Sequence, residues 1–301
     1  MPFRNHIEEI FGFYGINITS SNMKSSLFVC PFHQQGKHSH NAVVYFNNGG
    51  WQCFNSGCGS SGFLTTIVQR MEKCSYKKAI RICEKKFKLD LDKIIFEEPD
   101  ISYDVKIFSL PKFFIPINSK NPYLKKHNFK WGTLNRLGIG EMKHDESKLI
   151  LPYTMNGLNV GYAIKPDDQR ANFPEGFAVN NYLYGFDNAK IYDEVYIVEG
   201  QRDVWRLWEF NIPGVCLNNA NCSSKQLSLI VKNWGKVILC LDGDSAGLDG
   251  NIVLFNKLNG LLDVSVKLMP WNKDPNDCTK EEFLNACVTN NLRIIINYNK
   301  L

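Results

Sequence analysis

The sequence predicts an α/β protein in which a small metal-binding β unit precedes a larger region with a mainly parallel sheet. Cysteine and histidine pairs near the start have the spacing of zinc ligands. Short apolar strands alternate with helical segments in the last third, which favours a parallel sheet. Acidic motifs follow those strands directly. At 301 residues, the chain has room for about two domains.

The composition is that of a folded globular protein, with 44% apolar and 22% charged residues and a net charge of +5. The longest apolar runs are far shorter than the ~18 residues that a membrane span needs. The first ten residues contain two acids where a signal peptide would be apolar, so we expect a cytoplasmic protein. Its ten cysteines are then expected to be reduced, without disulfides.

Charge divides the chain into four segments. Residues 1–90 hold 11 basic and 5 acidic side chains, whereas residues 91–110 hold 2 basic and 5 acidic ones. Residues 111–190 are basic again, with 11 basic and 7 acidic side chains. We therefore expect a metal-binding domain over 1–90, a linker over 91–110, a basic lobe over 111–190, and an α/β domain with a C-terminal helix over 191–301.

Two pairs of soft ligands are joined by a predicted hairpin, and these ligands are Cys30, His33, Cys53 and Cys58. The Asn48-Gly49 turn of that hairpin would bring the pairs together. Thiolate and imidazole ligands suit tetrahedral zinc with no open position, so we expect one structural zinc ion. A small β unit with few large core residues needs such a metal. Either His38 or His40 is an alternative to His33.

Aromatic side chains are concentrated on this hairpin, in a stretch from Phe11 to Met71 that contains no acid. Aromatic rings beside positive charge suit single-stranded nucleic acid, through base stacking and phosphate attraction. For any one ring, packing in the core of the unit is the stronger expectation. Trp51 is the best candidate for an exposed contact.

Acidic residues follow three predicted strands, and these residues are Glu199, Asp203, Asp242, Asp244, Asp274 and Asp277. Parallel strands end at one edge of a sheet, where α/β proteins form their sites. Carboxylate oxygens suit Mg²⁺ or Mn²⁺, and a pair of these ions supports phosphoryl transfer. The alternative interpretation is that these are ordinary solvated acids at turns. The presence of three or more acids at one edge of the sheet argues against it.

The acidic motifs EGQRD, LDGDSAG and KDPND together resemble a Toprim domain, the fold shared by bacterial-type primases, topoisomerases and some nucleases. The segment CPFH followed by CFNSGCGSSGF resembles the zinc ribbon of DnaG-type bacterial and bacteriophage DNA primases. The stretch between them resembles the basic lobe of those enzymes. The resemblance implies a zinc ribbon joined to a primase-type RNA polymerase domain, which combines a basic α+β lobe with Toprim.

The resemblance also implies roles for particular residues. Its catalytic acids would be Glu199, Asp242, Asp244, Asp203 and Asp274. Two Mg²⁺ or Mn²⁺ ions would be held by Glu199, Asp242, Asp244, Asp274 and Asp277. Lys165 and Arg170 match the basic pair that holds template or nucleotide phosphates. Lys165 stands where arginine is usual, and Asn276 stands where an acid is usual, so Asp277 is a candidate to replace that acid.

The implied function is synthesis of short RNA primers on single-stranded DNA during replication. The implied partners are the template, ribonucleoside triphosphates, a single-strand-binding protein and a separate replicative helicase, because the sequence has no Walker loop. The compact chain resembles bacteriophage primases more than cellular ones. Two alternatives remain open, which are a Toprim nuclease and a non-catalytic factor that binds single-stranded DNA.

Overall fold

The computed structural model describes residues 2–33, 42–55, 58, 60–90, 106–219 and 221–298. His38, His40 and most of the predicted linker lie outside these residues. The chain forms two compact units. The first contains the described residues up to 90 with Ile230–Val237 and Val253–Ser265, and the second contains the remainder. None of the helices in the described segments combines the length and apolar character that crossing a membrane requires.

An antiparallel sheet forms the centre of the first unit, and its strands follow the chain order β1 to β5. Their bounds are β1 Ile18–Ser21, β2 Ser25–Phe28, β3 Ala42–Tyr45, β4 Gly50–Cys53 and β5 Ser61–Phe63. Val44 pairs with Trp51 across the β3–β4 hairpin, which confirms the predicted turn. Gly49 lies at a φ of +66°, a conformation that glycine adopts without steric cost.

Three helices complete the first unit: α1 Arg4–Tyr14, α2 Leu64–Met71 and α3 Tyr76–Phe87. They and the sheet bury a core rich in large rings, which include Phe3, Phe11, Phe28, Phe46, Trp51, Phe63 and Phe87. The expectation of a unit with few large core residues is therefore wrong. It overlooked α1, whose start lacks the side-chain cap that usually signals a helix.

The basic lobe contains an antiparallel sheet with the order β6, β7, β8 and β9. Its strands are β6 Phe114–Pro116, β7 Gly140–Met142, β8 Asp145–Met155 and β9 Leu158–Pro166. The short helices α4 (Pro122–Lys126) and α5 (Trp131–Arg136) connect β6 to β7, and α6 spans Phe186–Ala189. Asn121 begins α4, since its side chain accepts a hydrogen bond from the backbone N–H of Tyr123 at 2.9 Å.

Strands and helices alternate through the last third, as predicted. The strands are β10 Glu194–Val198, β11 Gly214–Cys216, β12 Lys236–Leu239, β13 Asp263–Lys267 and β14 Val288–Thr289. The helices are α7 Gln201–Glu209, α8 Ser224–Asn233, α9 Ser245–Leu258, α10 Lys280–Asn285 and α11 Leu292–Asn297. The sheet order is β11-β10-β12-β13-β14. The pair β10 and β11 is parallel, and the edge strand β14 is antiparallel to β13.

The sheet is buried in the fold because its strands are apolar. Val195, Ile197 and Val198 on β10 are fully buried, and so are Val237 and Leu239 on β12. Such runs have no polar face to turn towards water, so helices must cover them. The acidic loops after β10 and β12 are consequently the points where polar side chains meet the end of a buried sheet.

Candidate functional site

The four predicted zinc ligands lie together in the first unit. The ligand atoms of Cys30, His33, Cys53 and Cys58 are all within 4.8 Å of one another. The Sγ atoms of Cys30 and Cys58 are 3.9 Å apart, and Nε2 of His33 lies 3.4 Å from Sγ of Cys53. Three sulfur atoms and one imidazole nitrogen make a donor set that suits tetrahedral zinc.

Burial keeps two thiols of the cluster in their neutral form until a cation binds. Burial, with the neighbouring Cys53 and Cys58 thiols, raises the pKa of Cys30 to about 12. Burial also raises the pKa of Cys53. A bound divalent ion reverses this preference, because it favours the thiolate over the thiol. The Ser60 hydroxyl lies 3.1 Å from Sγ of Cys58 and fixes that ligand from outside.

Trp51 is not an exposed nucleic-acid contact, and that prediction is wrong. The residue is only 1% exposed, and its indole N–H donates to the Phe63 carbonyl oxygen and to Oγ1 of Thr66. The cross-strand position of Trp51 turns the ring into the core beneath α2. Phe54 (61% exposed) and Tyr45 (40% exposed) are the accessible rings near the hairpin.

Six predicted site residues of the second unit line one cavity of about 650 Å³. They come from the basic lobe and from the ends of β10, β12 and β13, and they are Lys165, Arg170, Glu199, Asp203, Asp242 and Asp274. Asp244 and Asp277 are not among the lining residues. The cavity therefore combines acids and cations from segments far apart in the sequence.

Backbone contacts fix the acids at the sheet edge. The Asp242 N–H lies 3.4 Å from Oε1 of Glu199, which joins the ends of β10 and β12. Asp203 is 4% exposed, and its carboxylate accepts the N–H groups of Gly200 at 3.0 Å and of Asn276 at 3.3 Å. Asp203 thus ties the loop before α7 to the KDPND turn.

Glycines allow the acidic loops to approach one another. The Gly243 N–H donates to the Lys273 carbonyl oxygen at 2.9 Å, and a Cβ on Gly243 would lie 2.1 Å from the Pro270 oxygen. A Cβ on Gly247 would lie 2.2 Å from the Asp242 oxygen. Oδ1 of Asp244 accepts the Gly247 N–H at 2.7 Å, so Asp244 begins α9. Packing of the acidic loops therefore requires both glycines of the LDGDSAG motif.

The acids raise one another's pKa values. Burial, then the charges of Glu199, Asp274, Asp244 and Asp277, raises the pKa of Asp242 to about 7. Burial is also the main reason why the pKa values of Glu199 and Asp274 are raised and that of Asp203 lies well above its usual range. A cluster of this kind is electrostatically unfavourable without cations.

Two buried oxygen atoms test whether the cluster fits divalent ions. Oδ1 of Asp242 and Oδ1 of Asn276 are buried and have no hydrogen-bond partner within the described parts of the chain. Unpartnered buried oxygens are unfavourable unless a ligand satisfies them. Asp242 lines the same cavity as the carboxylates of Glu199 and Asp274, and carboxylate oxygens are the donors that Mg²⁺ and Mn²⁺ bind.

The sequence interpretation missed four polar residues that line the cavity: Gln201, Arg202, Asn218 and Asn219. Gln201 donates to Oδ1 of Asn218 at 3.0 Å and to the Tyr153 hydroxyl at 3.1 Å. Two signals were available, because Gln201 and Arg202 lie inside the EGQRD motif and Asn218 follows soon after β11.

A second group of potential ligands, His127, Asp167 and Asp168, is an ion-pair network. Nε2 of His127 and Nζ of Lys126 lie 2.6 Å and 2.7 Å from the two oxygens of Asp167. Lys126 also pairs with Asp168 at 2.6 Å. Because lysine already neutralises these carboxylates, the group is better satisfied as it stands than as a metal site.

Two family models match the chain. The model described as CHC2 zinc finger matches residues 3–98, and the model described as Toprim-like matches residues 196–279. These matches cover the zinc-ligand cluster and all the acids of the cavity.

Curated relatives extend the similarity across the chain. The DNA primase of Deinococcus radiodurans is 24% identical over 303 residues, which cover 83% of this chain and 52% of the relative. The DNA primase of Thermotoga maritima is 25% identical over 314 residues, which cover 84% of this chain and 54% of the relative. The chain thus spans about half the length of the curated relatives it matches.

Solved structures agree on the fold. A DnaG primase catalytic domain solved with bound single-stranded DNA is 18% identical and matches with a TM-score of 0.50, over 61% of this chain and 75% of that one. The chain thus combines a region that matches the CHC2 zinc-finger model with one that matches the Toprim-like model, in a sequence similar to curated DNA primases over more than four fifths of its length.

Proposed function

We propose that the protein is a DNA primase, which makes short RNA primers on single-stranded DNA during replication by two-metal nucleotidyl transfer. The observation that supports the proposal is one cavity lined both by Glu199, Asp242 and Asp274 and by Lys165 and Arg170. Such a cavity offers oxygen ligands for divalent ions and cations for phosphates in one space. Nucleotidyl transfer needs both.

In this function the acids hold Mg²⁺ or Mn²⁺. Glu199, Asp242 and Asp274 are the ligands inside the cavity, and Asp244 and Asp277 adjoin them. Bound ions would supply charge stabilisation to the attacking 3′-oxygen and the leaving pyrophosphate. Asp203 acts by position, because both its oxygens are occupied by backbone N–H groups.

The cations of the basic lobe bind phosphates. Lys165 donates to the Gln169 carbonyl oxygen, which holds its ammonium group at the cavity wall. Burial and the charge of Arg202 lower the pKa of Lys165, so a phosphate group would strengthen its protonated form. Arg170 offers the planar donors that can contact two phosphate oxygens at once.

The zinc unit contributes template binding and one zinc ion, held by Cys30, His33, Cys53 and Cys58. Its exposed rings, Tyr45 and Phe54, are the proposed stacking surfaces in place of Trp51. We assign the zinc unit to 1–90, the linker to 91–110, the basic lobe to 111–190 and Toprim to 191–301.

The proposed partners follow from this reaction. They are single-stranded DNA, ribonucleoside triphosphates, a single-strand-binding protein and a replicative helicase carried on another chain. The proposed location is the cytoplasm of a bacterial or phage-infected cell.

A primer-synthesis assay tests the proposal. The purified chain receives single-stranded templates of varied sequence, labelled ribonucleotides and Mg²⁺, and is compared with an Asp242→Ala/Asp244→Ala variant. RNA made by the wild type and absent with the variant is the expected result. Cleaved template without RNA would favour a Toprim nuclease. DNA binding without either product, also after addition of a helicase, would favour a non-catalytic binding factor.

A further inference from the structure

We propose that Arg202 is a third phosphate-binding residue of the cavity and contacts the triphosphate of the incoming nucleotide. This assignment rests on the proposed function, because it presumes that the cavity takes a nucleotide. Arg202 lies on α7, directly before Asp203, and lines the cavity beside Lys165 and Arg170. No sequence pattern used above assigned it a role.

The Arg202 side chain is held from the basic lobe. Its Nε donates to the Tyr123 hydroxyl at 2.7 Å, and its guanidinium carbon lies 5.5 Å from the centre of the Tyr123 ring. The side chain is 24% exposed. A guanidinium fixed through Nε keeps its two terminal nitrogens for other partners, and little side-chain entropy remains to be lost when a ligand binds.

The positive charge of Arg202 has no dedicated counter-ion. The nearest carboxylate is Asp167, whose Oδ1 lies 3.6 Å from the NH2 nitrogen, beyond hydrogen-bond distance. That carboxylate already binds His127 at 2.6 Å and Lys126 at 2.7 Å. The NH2 nitrogen of Arg202 is buried and has no hydrogen-bond partner among the described residues. A buried, unsatisfied guanidinium nitrogen favours an anionic ligand.

Arg202 lies between the cationic and the acidic walls of the cavity. Its charge contributes to the lowered pKa of Lys165, which is due first to burial. Its charge also acts on Asp274, where it opposes the effect of burial. Divalent ions at the acids would bind the phosphates of a nucleotide, but the carboxylates that hold the ions offset part of the ions' charge, so the phosphates keep a net negative charge. Arg202 is placed to contact the same phosphates.

Triphosphate and the phosphodiester backbone share the chemistry that a guanidinium recognises. The electrostatic interaction of Arg202 with Asp274 favours the triphosphate, because a triphosphate would bind the divalent ions held by the acids. The two sources are separable by experiment, since one binds as a free nucleotide and the other as DNA.

The test measures equilibrium binding to the full chain of two probes, Mg-ATP and a single-stranded oligothymidylate. The variants are Arg202→Gln, Arg202→Lys and the control Arg206→Gln. Arg206 is on the same helix, pairs with Glu209 at 2.9 Å and does not line the cavity. We expect Arg202→Gln to weaken Mg-ATP binding about ten- to hundredfold. Arg202→Lys is expected to restore part of that loss.

DNA affinity, thermal stability and steady-state kinetics provide further readouts for these variants. Oligothymidylate affinity and the thermal midpoint of Arg202→Gln are expected to match the wild type, and in primer synthesis the KM for ATP should rise more than kcat falls. Mg-ATP affinity within twofold of the wild type would overturn the assignment, as would wild-type protein that does not bind Mg-ATP. An equal loss in Arg206→Gln would reduce Arg202 to a structural role.

Two further results separate the sources and the two proposals. Weakened oligothymidylate binding with unchanged Mg-ATP binding would overturn the triphosphate and assign Arg202 to the nucleic-acid backbone. Arg202-dependent Mg-ATP binding by a wild type that makes no RNA would contradict the proposed function alone.

Discussion

The zinc cluster and the acidic cavity gather their polar residues in opposite ways. In the zinc cluster, four ligand atoms lie within 4.8 Å of one another and leave no position for a substrate. In the cavity, carboxylates after separate strands raise each other's pKa values and share a space of about 650 Å³ with cations. The first arrangement stabilises the fold when its ion binds. The second holds unfavourable charge that a substrate and its ions can relieve.

The largest effect is expected at the zinc cluster. Cys53→Ser should abolish binding of the single zinc ion and lower the free energy of unfolding by about 5 kcal/mol or more, because three ligands bind zinc far more weakly than four. Metal analysis and chemical denaturation would measure this. Cys287→Ser is the matched control, since Cys287 is exposed and not a ligand. A zinc-free variant as stable as the wild type would contradict the stabilising role.

Substitution of an acid in the cavity is expected to change catalytic activity and not stability. Asp242→Asn is expected to reduce primer synthesis by about a hundredfold or more, because metal ligation contributes several kcal/mol to the transition state. Its stability without divalent ions should not fall, since the change removes a repelling charge. Asp249→Asn, at an exposed position on α9, is the control. An Asp242→Asn variant that retains activity would contradict the catalytic role of the acidic cavity.

Trp51 tests whether the zinc unit has a core of its own. Trp51→Phe should lower the free energy of unfolding by about 3 kcal/mol, because it removes the buried indole N–H that the Phe63 carbonyl oxygen and Oγ1 of Thr66 share and also removes ring volume. Single-stranded DNA affinity should remain unchanged. Phe54→Ala is expected to do the reverse, weakening DNA binding while leaving the denaturation midpoint in place.

The smallest effect concerns pH. The pKa of Asp242 is about 7 in the folded chain against an ordinary value of 3.8. From about pH 4 upwards, the unfolded carboxyl loses its proton while the folded one retains it, so stability should fall until about pH 7 and then level off. The fall is expected to be about 1–2 kcal/mol, allowing for partial exposure.

Denaturation at pH 5 and pH 8 without divalent ions would measure that fall. Asp242→Asn should reduce it, and Mg²⁺ should oppose it at the higher pH. A stability that rises over this range in the wild type and not in the variant would contradict the raised pKa.

Local spacing in the sequence was enough to predict the four zinc ligands and the strands and helices of the last third. Cys30 and His33, or Asp242 and Asp244, are separated by so few residues that their spacing alone indicates a ligand pair. The alternation of strands and helices after residue 191 is likewise a local pattern, because hydrophobic periodicity is read within a few turns. Both the zinc cluster and the α/β fold with a parallel sheet were therefore predictable.

Which side chains contact one another depends on long-range packing, which local spacing does not show. Trp51 became a core residue because α2, which follows it in the chain, covers its ring. Asp203 became a tether through the backbone of Asn276, 73 residues away. Arg202 entered the cavity because the Tyr123 hydroxyl, from the basic lobe, accepts a hydrogen bond from its Nε. Burial and charge are properties of such long-range neighbours, and no local pattern of residues contains them.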